Sequence, residues 1–276
     1  MTREDAFQTL IRLGQAPDDG FALYEAALAC ALHEDPGRDP ADAEALGRHA
    51  VERLAVHLKQ LGGEAALAEA MSGDLRLTGD LMTYDHPDNA DLIALAQRRK
   101  GLPVMLGIVY LHAARACGLK VQGVDFPGHF LLRIETTEGL MALDPFSDGR
   151  VVLPSELTRR AMRAGLAPDL AGRPDQLMAP VSDRNVLIRL QNNLLARANA
   201  AQDWAGAERA ASRRAVIAPA LPALWLDVAQ AREAQGILGG ALEALGRTGA
   251  LQGEAAMAAR ASRDRLRRTL NRPGRR

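Results

Sequence analysis

Apolar positions along the chain fall into three regimes. Up to about residue 70 they recur at helical spacing, and FALYEAALACAL is apolar on every side, the pattern of a buried helix. EDPGRDPAD breaks the pattern with two prolines and a glycine. Asp39 and Pro40 then read as cap and first turn of a helix carrying Leu46, Val51, Leu54, Val56 and Leu58, which runs out near Gly62-Gly63. A shorter helical stretch reaches about Met71, and residues 72–90 are rich in turn formers, with Asp88 or Asn89 placed to cap a short helix through Ala96.

RRKGLP interrupts the chain, and Pro103 opens a helix over about 103–116, VMLGIVYLHAARA, apolar on nearly all faces and closed by Gly118. The period then changes to two. KVQGVDF, FLLRIET, LMALDPF and RVVL are short strand-type runs separated by Pro-Gly, Thr-Thr-Glu-Gly and Ser-Asp-Gly turns. They predict a small antiparallel sheet packed on the Pro103 helix. Helices first and strands after make the class α+β.

Residues 156–182 hold Pro168, Pro174 and Pro180 with Gly165 and Gly172, and read as a connecting segment with one embedded helix, SELTRRAMRAG. From 183 the third regime is helical and repeats. Leu194 aligns with Val228, Trp204 with Leu238 and Ala207 with Ala241 at a spacing of 34, the tetratricopeptide period. Trp225, Gly236, Ala241 and Pro219 fall where that repeat prefers Trp, Gly, Ala and Pro, whereas Ala198 and Arg232 replace a preferred aromatic. The predicted organisation is a core with helical extension over 1–155, the connecting segment, and a helical domain over 183–276.

Composition narrows the functional classes. Aromatics are 4% of the 276 residues, so the core is built mainly from aliphatic residues and alanine. Thirty-four basic and 34 acidic residues balance, which argues against wholesale binding of nucleic acid. The end of the chain, SRDRLRRTLNRPGRR, carries seven arginines and one Asp, a solvated helix end or a local contact for an acidic partner or nucleic acid. Cys30 and Cys117 lie in apolar, Ala-rich contexts and read as reduced core thiols, and no Cys/His cluster points to a metal or cofactor. No stretch reaches the length of a membrane span, and a cytoplasmic location is expected.

Three fragments in order, RRKGLPVMLGIVYLHAARACGLKVQGV, FPGHFLLRI and LMALDPFSDGR, resemble the SirB invasion-regulator family, in which a transglutaminase-like core precedes tetratricopeptide repeats. The likeness is strongest from Tyr84 to Val152. It implies a papain-type arrangement: a Cys at the start of a buried helix, a His on the next strand and an Asp on the strand after. The helix N-terminus favours the thiolate, the imidazole carries the thiol proton, and the carboxylate fixes the imidazole. Carried over, the His falls on His129 and the Asp on Asp144. The helix ends in the family's Arg-x-x-Gly pattern at Arg115 and Gly118, and counting back places the Cys position on Pro103, where Leu102, Pro103 and Val104 hold no nucleophile. Cys117 stands at the other end of the same helix, about 21 Å away.

Read alone, His129 is a turn-adjacent histidine bonded to backbone and Asp144 a turn initiator before Pro145. Read with the resemblance, they are a vestigial dyad in a cleft, with Tyr84, Arg98, Arg99, Phe126 and Phe146 as candidate lining. The expectation is a non-catalytic scaffold for a protein or peptide partner, with regulation implied by the family name. The alternative is a hydrolase or transferase using His129-Asp144 as general base on a water.

Overall fold

The computed structural model of the chain describes residues 1–271. Two compact units are present, one of residues 1–6 and 17–190, the other of residues 7–16 and 191 onward. The first begins with helices α1 (Arg3–Gly14, which runs on into the second unit), α2 (Leu23–Glu34), α3 (Ala41–His57) and α4 (Gly63–Ala68), the last continuing as one π-helical turn, Glu69–Asp74. A two-residue strand β1 (Thr78–Gly79) precedes α5 (Leu92–Arg98), and β2 (Lys100–Gly101) pairs parallel to it. The cap of α5 is Asp91, whose carboxylate accepts from Ala94 N at 2.7 Å. The candidates Asp88 and Asn89 instead sit in a 3-10 turn, Pro87–Ala90.

Helix α6 (Pro103–Ala116) is the central mast of this unit. Residues Pro103 through Leu111 are all buried, so no face is left for solvent. Gly118, at φ +77°, ends it with the left-handed turn that an L side chain resists, and Leu119 N reaches back to Ala114 O at 2.8 Å. The strands follow in the predicted order: β3 (Val121–Val124), β4 (Leu131–Thr136), β5 (Gly139–Asp144) and β6 (Arg150–Val152). Helices α7 (Pro154–Arg163), α8 (Pro168–Ala171) and α9 (Pro174–Leu177) then lead to β7 (Pro180–Val181), and the antiparallel sheet has the order β6-β5-β4-β3-β7. The fold is α+β.

The segment 156–182, expected as a connector, is part of this unit. Leu157, Ala161, Ala171 and Met178 bury against Val124, Phe126 and Leu131, and β7 pairs with β3. Pro168 and Pro174 start short helices rather than opening the chain, because Pro at a first helical position costs no hydrogen bond.

The second unit contains α10 (Asp183–Ala200, which begins in the first unit), α11 (Trp204–Ile217), α12 (Leu224–Ala234), α13 (Leu238–Gly246) and α14 (Gly253–Leu270). Helices α10 and α12 end at Ala200 and Ala234, and α11 and α13 begin at Trp204 and Leu238, so the helix boundaries keep the spacing of 34 seen in the sequence. The core here is made of small residues, among them Ala207, Ala210, Ala211, Ala231, Ala241 and Ala244, which let helix backbones approach closely. The arginine-rich segment 263–276 lies in α14 as far as Leu270, and its residues 272–276 fall outside the described residues.

Candidate functional site

The sheet register brings the dyad together. The hairpin of β4 and β5 pairs Leu132 with Leu143 and Ile134 with Met141, so Asp144 leaves the end of β5 beside the chain that enters β4. His129 stands in the turn before β4, held by its own N–H on Phe126 O at 2.9 Å and by Arg189 Nη2, which donates to His129 O at 2.8 Å. Its Nε2 lies 2.9 Å from Asp144 Oδ1.

Asp144 is completely buried and fully engaged. Oδ1 also accepts from Phe146 N at 3.1 Å, and Oδ2 accepts from Ser147 Oγ at 3.0 Å and Arg160 Nη1 at 2.8 Å. Burial pushes its pKa up, but the hydrogen bonds and charges of His129 and Arg160 outweigh it and hold the carboxyl well below the usual carboxylate range. The ionised carboxylate accepts a hydrogen bond from Nε2–H, so Nδ1 is the ring nitrogen left for a further group. Among the described residues Nδ1 has no hydrogen-bond partner. The site can therefore take a proton, or a hydrogen bond, from a group brought to it.

Arg160 is the site residue that the sequence reading missed. It lies on α7 and bridges Asp144 to Glu156, which it meets at 2.8 Å. Glu156 also receives Arg150 Nη2 at 2.5 Å. Hydrogen bonding by Arg150, opposed by burial and reinforced by Arg160, brings the Glu156 pKa to about 2. A line of alternating charge thus runs from Asp144 through Arg160 and Glu156 to the exposed Arg150. The i,i+4 spacing of Glu156 and Arg160 was the available signal.

The aromatic wall is formed by Phe146, whose ring meets His129 edge-on at 6.1 Å and Tyr84 at 5.8 Å. Gly79 makes room for it, since a Cβ there would fall 2.5 Å from Phe146 Cδ2. The other proposed lining residues do not bring their side chains to the His129 ring. Phe126 is 1% exposed in the core with Val124 and Leu157, because the alternation after β3 turns it inward. Arg98 is held by the buried Asp80 at 3.1 Å and by Asn89 Oδ1 at 3.0 Å, and fastens the 80–91 segment. Arg99, left-handed at φ +59°, acts by its charge on the Tyr24 phenol instead.

At the helix start Leu102 N donates to Asn89 O at 2.8 Å and Pro103 occupies the first helical position, buried. Cys117 Sγ is directed to Val51 O, 3.6 Å away, with its pKa raised by burial. Cys30 is buried within α2. Among the described residues no group of three His, Cys, Asp or Glu side chains could hold a metal ion, and no helix is long and apolar enough to cross a membrane.

Comparison with known proteins identifies the family. Residues 41–192 match the transglutaminase-like superfamily, a span that includes α3 through β7 and both members of the dyad. A UPF0162 protein of Xylella fastidiosa (strain Temecula1) is 31% identical over 85% of each chain, and one of Pseudomonas aeruginosa is 32% identical over 63% of each. F-box only protein 21 of Homo sapiens is 34% identical over 25% of this chain and 11% of its own. No solved structure matches. The chain thus belongs to the transglutaminase-like superfamily, alongside the UPF0162 proteins.

Proposed function

We propose that the chain is a non-catalytic transglutaminase-like protein, a regulatory scaffold that holds a protein or peptide partner at the His129 cleft. The observation that carries this reading is the pairing of an intact His129-Asp144 hydrogen bond with a buried proline at the position carried over for the thiol. An imidazole oriented by a buried carboxylate, with no nucleophile to deprotonate, is suited to receive an N–H or O–H of a bound group. The second unit, read as tetratricopeptide-type hairpins in the SirB manner, supplies a further protein surface. The short likeness to F-box only protein 21 is compatible with a protein-binding role.

The test has two arms. Transamidation and amide hydrolysis are assayed with a glutamine peptide and a primary amine, and bound proteins are captured from lysate by wild type and by His129→Ala. The expected result is no turnover by either, with capture of a partner that the substitution loses. Turnover that disappears in His129→Ala would instead establish the second reading, general-base chemistry on water, which the unpartnered Nδ1 favours.

A further inference from the structure

A sizeable cavity of the first unit lies away from the dyad. It is a groove of about 920 Å³ at the opposite end of α6, walled by α2, α3 and the last turn of α6. Its floor is apolar: Phe21, Leu23, Leu28, Val51 and the rings of Tyr24 and His112, tilted by 32° with centroids 4.3 Å apart. Gly47 opens the floor, since a Cβ there would lie 3.0 Å from the Tyr24 ring. Leu28, Val51, Tyr24 and His112 remain half-exposed, although the helices around them are otherwise closely packed.

The rim is charged and unequal. Glu44 and Glu52 edge the groove, with Arg48 and Arg115 opposite in sign. Arg115 is already neutralised, because both its terminal nitrogens donate to Asp183, one of them at 2.6 Å. Glu44, Arg48 and Glu52 recur every four residues and so share one edge of α3, along roughly 12 Å or two turns. Arg48 stands between the two glutamates, so this edge keeps a surplus of one negative charge.

We infer that this groove is a docking site for an amphipathic helix of a partner protein, with an aliphatic face and a basic flank. A trough between packed helices accepts a further helix by the same ridge-and-groove fit that joins the walls. The apolar floor takes the aliphatic face, and the glutamates of α3 select lysine or arginine beside it. The site is separate from the His129 cleft and does not depend on the function proposed there.

The probe is a labelled peptide of about 18 residues, roughly five helical turns, with leucines on one face and lysines flanking them; a copy with glutamates for the lysines and a fluorescent apolar dye accompany it. Binding to the full chain is followed by anisotropy, and by backbone amide shifts at Leu28, Val51 and His112. The lysine peptide is expected to bind, more weakly as salt rises, and to move those amides. The double reversal Glu44→Lys and Glu52→Lys, at exposed positions, is expected to weaken it roughly tenfold. His129→Ala should leave it unchanged. Equal binding of both peptides, binding of the dye alone, or no binding by any probe would each overturn the assignment.

Discussion

Replacing Asp144 with Ala removes the acceptor for four donors at once. His129, Phe146 N, Ser147 and Arg160 all lose their partner, and Arg160 keeps only Glu156. Breaking a buried charge pair from one side typically costs about 3–5 kcal/mol. The His129 and Arg160 side chains retain 21% and 22% exposure, so water recovers part of the loss and the low end, about 3 kcal/mol, is appropriate. For a unit of this size that corresponds to a fall in Tm of roughly 6–12 °C. The assay is thermal and urea unfolding followed by circular dichroism, with Arg160→Met and the double variant completing a cycle. Coupling of about 1–2 kcal/mol between the two positions is expected, because they share one ion pair. A loss under about 1 kcal/mol in Asp144→Ala, or simple additivity in the cycle, would refute the view that this carboxylate organises the site.

Other outcomes follow from the same geometry. Asp144 and Glu156 have pKa values lowered by folding, so their contribution is present above their unfolded values of about 4 and disappears as pH falls through the folded ones. The Tm gap between wild type and Asp144→Ala should therefore stay level from about pH 5 to 7 and narrow below about 4 in acid melts. Gly79→Ala should displace Phe146 from its seat against His129, cost about 1–3 kcal/mol, and shift the His129 ring protons in NMR spectra. In Pro103→Cys the new thiol at the helix start should be alkylated by iodoacetamide faster than Cys117, whose thiol is raised by burial, and His129→Ala should remove the advantage; equal rates on peptide mass spectra would show that the helix start does not face the dyad.

What could be read from the sequence was set by periodicity and turn chemistry. β3 to β6 are bounded by Pro-Gly, Thr-Thr-Glu-Gly and Asp-Gly turns, and α6 by Pro103 and Gly118, so the dyad's neighbourhood followed from local rules. The pair β1 and β2 carries no such signal, because two residues show no alternation. β7 begins with a proline and pairs only at the sheet's edge. The role of Arg160 depends on α7 folding back over Asp144, a long-range fact, and the proline-rich composition of 156–182 pointed toward a linker. The capping of α5 by Asp91 rather than Asn89 has a similar cause. Asn89 is used inward, donating to Thr83 O and Tyr84 O while its own carbonyl holds Leu102 N, and no propensity scale registers that tie.

The all-round burial of α6 bears on how the first unit assembles. The stretch Pro103–Leu111 has no exposed face and no stable existence beside water, and its walls come from segments as distant in the chain as α2 and β4. Any species in which α6 has formed before those walls close exposes a strip of Val, Met, Leu and Ile to other chains. Folding of this unit should therefore be concerted, the α6 amides the last to exchange with deuterated solvent, and an opened N-terminal region the form that aggregates and recruits chaperones.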